Sequence, residues 1–202
     1  MRMDTVRAVA EAVAARLFVP VEASGRHVHL TRAQAQALFG HALTPARPLS
    51  QPGQFLANER VTVSGPKGEL RHVAVLGPER SEAQVELSLT DGRAIGVALP
   101  VRLSGDTVGS PGVTLKTDRQ MLVLESGAIA AQRHVHLPPA DAGRLGVRDG
   151  QTVSVRLDTA RPLVFTDVAV RVSASFAPAV HIDYDEANAC GFRSGDLGRL
   201  LP

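Results

Sequence analysis

The chain has 202 residues, 44% of them hydrophobic, which is enough to build the core of one large domain or two small ones. Aromatic residues make up only 3% and tryptophan is absent, so stacking platforms for single-stranded nucleic acid are not expected. The formal net charge of +2 is spread along the chain and not massed in one block, and we therefore predict no nucleic-acid partner.

The N-terminal segment is predicted to form an amphipathic helix over residues 4–17, because Val6, Val9, Val13 and Leu17 recur at helical spacing. Charged residues interrupt this segment, so it does not resemble the apolar region of a signal peptide. Its apolar stripe suits either a packed helix or a docking peptide for a partner or shell. Both alternatives stay open at this point.

The remaining composition favours a cytoplasmic protein. The sequence has one cysteine, Cys190, which leaves no intramolecular disulfide and is compatible with a reducing compartment. No uninterrupted apolar run approaches the length needed to cross a bilayer, so we predict no membrane partner.

After Pro20 the sequence changes to short β-type segments separated by turn sequences such as GPKG at 65–68 and TDG at 90–92. Strands of this length joined by tight turns predict antiparallel sheets or small barrels, and not a doubly wound sheet. The predicted strands cover residues 61–64, 70–76, 84–89, 94–99, 121–124, 152–157, 164–172 and 180–183.

The pentapeptide RHVHL occurs twice, at residues 26–30 and 133–137. Each copy is predicted to form a strand that runs into a short helix, capped by Thr31 in the first copy and opened by Pro138 and Pro139 in the second. A repeat at this wide spacing indicates two related halves and not a solenoid.

The repeated histidines are candidate metal ligands. Residues two apart on a strand point to the same face, so His27 and His29 can bind one divalent ion, and His134 and His136 a second. The valine between each pair then points into the core. An isolated pair of this kind is a weak metal signal, but its duplication within one pentapeptide favours two metal sites.

Each pair needs a further ligand from elsewhere in the chain. His181 stands at the end of a β-type segment, and Glu86 lies on the polar face of its predicted strand, so either can complete a site. His41 and His72 lack such neighbours and are interpreted as ordinary surface or satisfied histidines.

Other polar residues near these segments have several possible roles. Cys190 is either a soft metal ligand or a small packed residue between alanines and a glycine. The acidic group Asp183, Asp185 and Glu186 could bind a hard cation, accept hydrogen bonds from metal-bound histidines, or cap a helix.

Five segments together resemble the PduL-type phosphotransacylases, also called phosphate propanoyltransferases. Members of that family interconvert acyl-CoA and phosphate with acyl phosphate and free CoA. The resemblance runs from about Pro20 to the C-terminus in the family's order and spacing. The segments are SGRHVHLT, VLGPERSEAQVELS, GDTVGSPGVTL, AQRHVHLPPADAGRLGVRDGQTVSV and HIDYDEANACG.

The resemblance implies a mainly β fold of two small antiparallel β-barrels capped by short α-helices, with the active site between the barrels. It further implies that the first strand joins the C-terminal barrel. One domain is then expected to contain residues 1–25 and 131–202, and the other residues 26–130.

The resemblance also implies a dinuclear zinc site, with two Zn²⁺ per chain. It assigns Glu86 to the first histidine pair, at a zinc whose open position meets the CoA sulfur. It assigns His181 to the second pair, at a zinc that keeps several positions for water or phosphate. Imidazole-rich sites also accept other first-row divalent metals.

Two further residues match the family's phosphate site. Arg80, in GPERSEAQ, matches an arginine that contacts phosphate, and Ser104, in RLSGD, matches a serine near the bound phosphate. From the residues alone, Ser104 is interpreted as a turn residue.

We therefore expect an acyltransferase of the phosphate propanoyltransferase or phosphate acetyltransferase type that acts on acetyl- or propanoyl-CoA. The alternative enzyme is a metal-dependent acyl-CoA thioester hydrolase, in which a metal-bound hydroxide replaces phosphate. A metal-stabilised scaffold is a third interpretation, which three-ligand sites argue against because structural zinc usually has four protein ligands.

The resemblance also implies a homodimer. Some family members carry an N-terminal extension that targets a bacterial microcompartment, whereas this sequence starts directly at the predicted helix. We therefore expect a cytoplasmic enzyme in preference to one associated with a microcompartment shell.

Overall fold

The computed structural model describes residues 5–7 and 17–201 of the chain. Most of the helix predicted over residues 4–17 lies outside these described residues. Among the described residues, no helix is both long and apolar enough to span a membrane.

The described residues form a mainly β structure with short helices, as predicted. The helices are α1 Arg32–Phe39, α2 Leu89–Ile95, α3 Pro139–Leu145 and α4 Tyr184–Cys190. The strands are β1 Phe18–Ser24, β2 His27–His29, β3 Pro45–Pro48, β4 Phe55–Ser64, β5 Glu69–Gly77, β6 Gln84–Glu86, β7 Val101–Arg102, β8 Val113–Lys116, β9 Met121–Leu124, β10 Ala128–Ala131, β11 His134–Leu137, β12 Thr152–Leu157, β13 Leu163–Val172, β14 Ala179–Asp183 and β15 Leu197–Leu201.

The chain divides into two compact units, each with its own hydrophobic core. The unit that we call the barrel unit combines residues 17–24 with residues 133–201. The unit that we call the sheet unit is Gly25–Gln132. The first strand therefore belongs to the same unit as the C-terminal part of the chain.

The barrel unit closes six strands in the order β1-β14-β11-β13-β12-β15. Four of its six strand pairs are antiparallel, as predicted, whereas β1 runs parallel to β14 and β11 runs parallel to β13. The second parallel pair arises because α3 and β12 separate β11 from β13 along the chain, so the two neighbours need not reverse direction.

The sheet unit is an open sheet of nine strands in place of a second closed barrel. Its main path runs β7-β10-β6-β2-β5-β4-β8-β9, and β3 pairs with β4 off this path. The pairs β2 with β5, β10 with β6 and β10 with β7 are parallel, so this unit also mixes strand directions.

The two RHVHL copies have the predicted local structure. Val28 and Val135 are both fully buried in the cores of their units, as expected for the middle residue of an H-x-H strand. Thr31 caps α1, and its side chain accepts a hydrogen bond from the backbone N–H of Gln34. Pro139 begins α3, where proline fits the first turn.

One predicted strand and one predicted turn are wrong. Residues 94–99 were predicted as a strand and TDG at 90–92 as a turn, but Leu89–Ile95 form α2. Ser88 and Asp91 form a capping box that starts this helix, and Gly96 ends it in a left-handed conformation with φ 76°. The capping pattern outweighed the β-type composition of residues 94–99.

Candidate metal centres

The first candidate centre lies in the sheet unit and consists of His27, His29 and Glu86, which we call the sheet triad. The antiparallel pairing of β2 with β6 places His27 directly opposite Glu86. One ligand atom from each of the three residues lies within 4.8 Å of the others. Nε2 of His27 is 3.4 Å from Oε2 of Glu86, and Nε2 of His29 is 4.0 Å from Oε1.

The two histidines of the sheet triad have different electrostatic surroundings. Nδ1 of His27 lies 2.8 Å from the carbonyl oxygen of Gly25, so Nδ1 carries the proton and Nε2 is left for a ligand. Burial acts to lower the pKa of His27, but the Glu86 carboxylate outweighs it and raises that pKa. Burial, with positive charge from His27 and Arg80, holds the pKa of His29 well below its usual range.

Glu86 is the charged member of the sheet triad. Burial acts to raise the pKa of its carboxyl, but the nearby His27 and His29 lower it, and the net shift is downward. An ionised carboxylate beside a neutral imidazole is the protonation state in which both groups bind a divalent cation.

The second candidate centre lies in the barrel unit and consists of His134, His136 and His181, which we call the barrel triad. His134 on β11 is opposite His181 on β14, and their ring centroids are 5.0 Å apart. Ligand atoms of the three residues lie within 4.8 Å of one another. Burial, with positive charge from His134 and Arg171, lowers the pKa of His136 to about 3.

His136 gives the clearest test of whether the barrel triad fits a metal ion. Both its ring nitrogens are buried and have no hydrogen-bond partner within the described part of the chain. Its ring stacks on Phe176 at a centroid distance of 4.0 Å, so packing sets the orientation of the imidazole. A buried polar group without a partner is costly, and a bound cation would satisfy it. The donor set of three imidazoles fits zinc or another first-row ion.

The third ligand of the sheet triad lies just before the N-terminus of helix α2. Glu86 is followed after two residues by Ser88, the N-cap of α2, and after five by Asp91, which completes the capping box. Nη1 of Arg26, the residue before His27, donates to Oδ1 of Asp91 at 3.0 Å. The strand that carries the histidines is thereby tied to the helix that follows the third ligand.

The third ligand of the barrel triad has the same position relative to helix α4. His181 is followed after two residues by Asp183, the N-cap of α4, and after five by Glu186, which completes that capping box. Nη1 of Arg133, the residue before His134, donates to Oε1 of Glu186 at 2.8 Å. The internal repeat therefore includes the third ligand, the helix cap and an arginine ion pair.

This larger repeat was missed in the sequence analysis, although its signal is present. The segments ELSLTD at 86–91 and HIDYDE at 181–186 place a ligand, a capping residue and an acidic residue at the same offsets. The two segments share no identical residue at matched positions, so a search for identical residues does not find this repeat. It is found by comparing the spacing between the ligand, the capping residue and the acidic residue.

Arg80 and Ser104, both predicted at the phosphate site, meet in the sheet unit. Nη1 of Arg80 donates to Oγ of Ser104 at 3.3 Å. The backbone N–H of Arg80 donates to the carbonyl oxygen of Leu30 at 2.9 Å, which attaches this loop to the end of the first RHVHL segment. The amide of Gln84, a residue that the sequence analysis did not single out, hydrogen-bonds both Ser104 and Glu86.

The remaining histidines are found away from both triads. His41 is exposed, with Nδ1 at 2.7 Å from the carbonyl oxygen of Ala42 and 3.7 Å from a carboxylate oxygen of Glu59. His72 is exposed on β5. Neither residue belongs to a group of potential ligands within the described residues.

Cys190 and the acidic residues near His181 have structural contacts within the barrel unit. Cys190 is fully buried in the barrel core and its thiol donates to the carbonyl oxygen of Ala187, which favours the packed-residue interpretation. Asp183 caps α4, and Glu186 pairs with Arg133. These contacts favour a structural role over a separate cation site.

The fold and these sites define a mainly β protein with two candidate metal centres and an arginine–serine pair linked to one of them. The family model described as phosphate propanoyltransferase matches residues 20–193. The chain is 50% identical to a phosphate propanoyltransferase of Enterococcus faecalis, over 99% of each chain. It is 56% identical to one of Leptotrichia buccalis, over 89% of this chain and 86% of the relative. With one of Thermotoga maritima the identity is 46%, over 96% and 94%.

The chain therefore belongs to the phosphate propanoyltransferase family, and it is an acyltransferase.

Proposed function

We propose that the chain transfers a short acyl group between CoA and inorganic phosphate, with acetyl- or propanoyl-CoA as substrate. In the forward direction a phosphate oxygen forms a bond to the acyl carbon, and the bond from that carbon to the CoA sulfur breaks. CoA leaves as the thiolate and takes its proton from solvent, and the reaction is reversible. No oxidant or reductant is needed.

The observation that carries this proposal is the hydrogen-bonded link between the sheet triad and the pair Arg80 and Ser104. A cation site and two donors suited to phosphate oxygens lie in one network of the same unit. A closed structural metal site has no need of such an attached pair of donors.

We propose that each triad holds one metal ion, with Zn²⁺ as the resident ion. His27, His29 and Glu86 would hold one, and His134, His136 and His181 the other. A zinc ion at a three-ligand site with an open position supplies a Lewis acid that favours thiolate over thiol and attracts phosphate oxygens.

Arg80 and Ser104 are proposed to bind the reacting phosphate. The guanidinium is a planar fork of donors that matches phosphate geometry and stays charged at all physiological pH values. Oγ of Ser104 accepts from Nη1 of Arg80 and from Nε2 of Gln84, and its hydroxyl also hydrogen-bonds the Glu86 carboxylate, so the serine links the guanidinium to the sheet triad. Together the two side chains would orient phosphate toward the thioester carbonyl.

Direct attack by phosphate is favoured over a covalent acyl-enzyme. Cys190, the one cysteine of the sequence, is fully buried, and burial raises the pKa of its thiol, so the nucleophilic thiolate is suppressed.

The deciding experiment is an assay of CoA release from acetyl-CoA and propanoyl-CoA with phosphate varied. We expect release to rise with phosphate to saturation and acyl phosphate to accumulate in equal amount. Release at the same rate without phosphate would show the thioester hydrolase instead. Treatment with a strong chelator should abolish activity, and Zn²⁺ should restore it.

The other expectations from the sequence stay predictions. These are the homodimer, the cytoplasmic location in preference to a microcompartment, and the preference between acetyl and propanoyl groups. Sedimentation of the purified chain and a comparison of the two acyl-CoA substrates would decide the first and the last.

A further inference from the structure

The side chain of Gln84 is a buried amide next to the sheet triad. It is 2% exposed and lies on β6, opposite His29 on β2. Residues two apart on a strand project from the same face, so the side chain of Gln84 shares a face with Glu86, the third member of the sheet triad.

Each polar atom of the Gln84 amide has a defined partner. Its Nε2 donates to Oε1 of Glu86 and to Oγ of Ser104, the latter at 2.8 Å, and its Oε1 accepts from the backbone N–H of Gly105 at 2.7 Å. A carboxylate only accepts and a backbone N–H only donates, so these partners admit one orientation of the amide. The amide is thereby fully engaged between the metal ligand and the loop that carries Ser104.

The barrel unit shows that the strand scaffold does not require glutamine at this position. Ala179 is opposite His136 on β14, as Gln84 is opposite His29 on β6. Ala179 is buried, and the register of its strand pair is the same. Since the repeat forms with alanine in one unit, the glutamine serves something particular to the sheet unit.

We propose that Gln84 is a positioning residue that couples the sheet triad to the phosphate-binding side chains. One proton of its amide holds the Glu86 carboxylate in its ligating orientation. The other proton holds Oγ of Ser104, which also accepts from Nη1 of Arg80, so that the guanidinium is positioned for an oxygen of phosphate. The second part of this inference rests on the proposed function, whereas the first depends only on cation binding.

The test is Gln84→Met, which keeps the volume of the side chain and removes its hydrogen bonds. We expect the KM for phosphate to rise about ten- to hundredfold, because the loss of a hydrogen bond to a charged group has an effect of that size. The KM for acyl-CoA should stay unchanged. Loss of an outer hydrogen bond to a ligand should weaken Co²⁺ binding at the sheet triad about ten- to hundredfold. Co²⁺ affinity is measured by chelator competition in the His134→Ala/His136→Ala background, which leaves the sheet triad intact.

A double-mutant cycle with Ser104→Ala shows whether Gln84 acts through the serine. We expect Gln84→Met to add little to the phosphate KM once Ser104 has lost its hydroxyl, because the two changes remove one interaction. Multiplicative effects on that KM would overturn the coupling.

The matched control is Gln34→Met. The side-chain amide oxygen of Gln34 also accepts a hydrogen bond, from the backbone N–H of Thr31 at 2.9 Å, in the capping box of α1. The control is expected to lower thermal stability and to leave both the phosphate KM and Co²⁺ affinity at wild-type values.

Gln84→Ala is the second variant, since the equivalent position of the barrel unit holds alanine. Wild-type phosphate KM and wild-type Co²⁺ affinity in either folded variant would overturn the proposal. Failure of both variants to fold would also overturn it, because Gln84 would then be a residue of the core. If the wild-type chain shows no phosphate-dependent CoA release, the proposed function fails, and the Co²⁺ affinity still decides the link from Gln84 to Glu86.

Discussion

The sheet unit and the barrel unit place their histidine strands in the same register but complete them with different third ligands. His27 is opposite Glu86 in one unit, and His134 is opposite His181 in the other. In both units the third ligand precedes a helix N-cap by two residues, and an arginine next to the first histidine pairs with the acidic residue of the capping box.

The difference in third ligand changes the charge of the two candidate centres. The sheet triad includes an ionised carboxylate, which offsets part of the charge of a bound divalent cation, whereas the barrel triad consists of imidazoles alone. A carboxylate oxygen of Glu22 lies 3.9 Å from Nδ1 of His181, and this side chain is partly exposed. A cation at the barrel triad would therefore keep more charge for an anionic substrate. One scaffold thus supports two electrostatically different sites.

Removal of either histidine pair should have the largest effect and tests whether each unit holds its own metal ion. His27→Ala/His29→Ala and His134→Ala/His136→Ala are each expected to lose about one metal ion per chain, since two of three ligands are removed. Activity should fall by more than the roughly hundredfold typical of outer-shell changes. Elemental analysis and the CoA-release assay measure the two effects.

The exposed histidines provide the control for this experiment. His41→Ala/His72→Ala removes the same number of imidazoles from outside both triads and should keep the wild-type metal content and activity. A pair variant from either triad that keeps its full metal load would remove that triad from the proposal.

Arg80→Ala tests whether phosphate binding depends on a specific arginine of the sheet unit. Loss of one preorganised hydrogen-bond donor at a reacting oxygen costs about a hundred- to thousandfold in enzymes, and we expect a loss of that order in kcat/KM for phosphate. The KM for acyl-CoA should change little, and Arg80→Lys should restore part of the activity because it keeps the charge without the fork. Steady-state kinetics with each substrate varied gives the answer.

The control for Arg80 is Arg156→Ala in the barrel unit. Arg156 forms an exposed ion pair with Asp158, so its loss should leave both kinetic constants unchanged. Equal effects of the two arginine variants would point to a general effect of positive charge and exclude a specific phosphate contact.

The last residue of each RHVHL copy probes the packing of the repeat. Leu30 and Leu137 are both fully buried, in the cores of the sheet unit and the barrel unit. Substitution of either by alanine should lower the free energy of unfolding by about 2–5 kcal/mol, because buried methyl groups are lost and a cavity is left. Denaturant unfolding should show similar losses, and a large difference would mean that the two cores pack unequally around the shared motif.

Substitution of the arginines in the two ion pairs should change thermal stability least, and by different amounts in the two units. Arg26 pairs with Asp91 on a partly exposed surface, where such pairs contribute about 0–1 kcal/mol. Arg133 pairs with Glu186 and also donates to the carbonyl oxygen of Thr166. We therefore expect Arg133→Ala to destabilise the chain more than Arg26→Ala does. The reverse order in thermal unfolding would contradict this account of the repeat.

Local sequence patterns predicted the strand and helix of each RHVHL copy, since these depend on side-chain periodicity and capping chemistry over a few residues. The same local logic failed for residues 94–99, which were predicted as a β-type segment. There the capping box of Ser88 and Asp91 starts a helix that ends at Gly96. Two local signals conflicted, and the helix cap prevailed.

Gln84 shows why part of the site could not be found from local patterns. Its partners include Ser104 and Gly105, which lie about twenty residues further along the chain. Nothing in the alternation of a three-residue strand indicates which distant loop will meet its polar face.

The amino-acid sequence by itself determined the family, the two histidine pairs and the faces on which they lie, because spacing along a strand decides which side chains project together. The residues alone left open which third residue joins each pair, and only the family resemblance assigned Glu86 and His181. The tertiary structure decided that these residues do meet the pairs, that the second sheet stays open, and that Gln84 connects Glu86 to Ser104. These features depend on strand pairing between distant segments, and that pairing follows from the packing of each whole unit and not from any short stretch of residues.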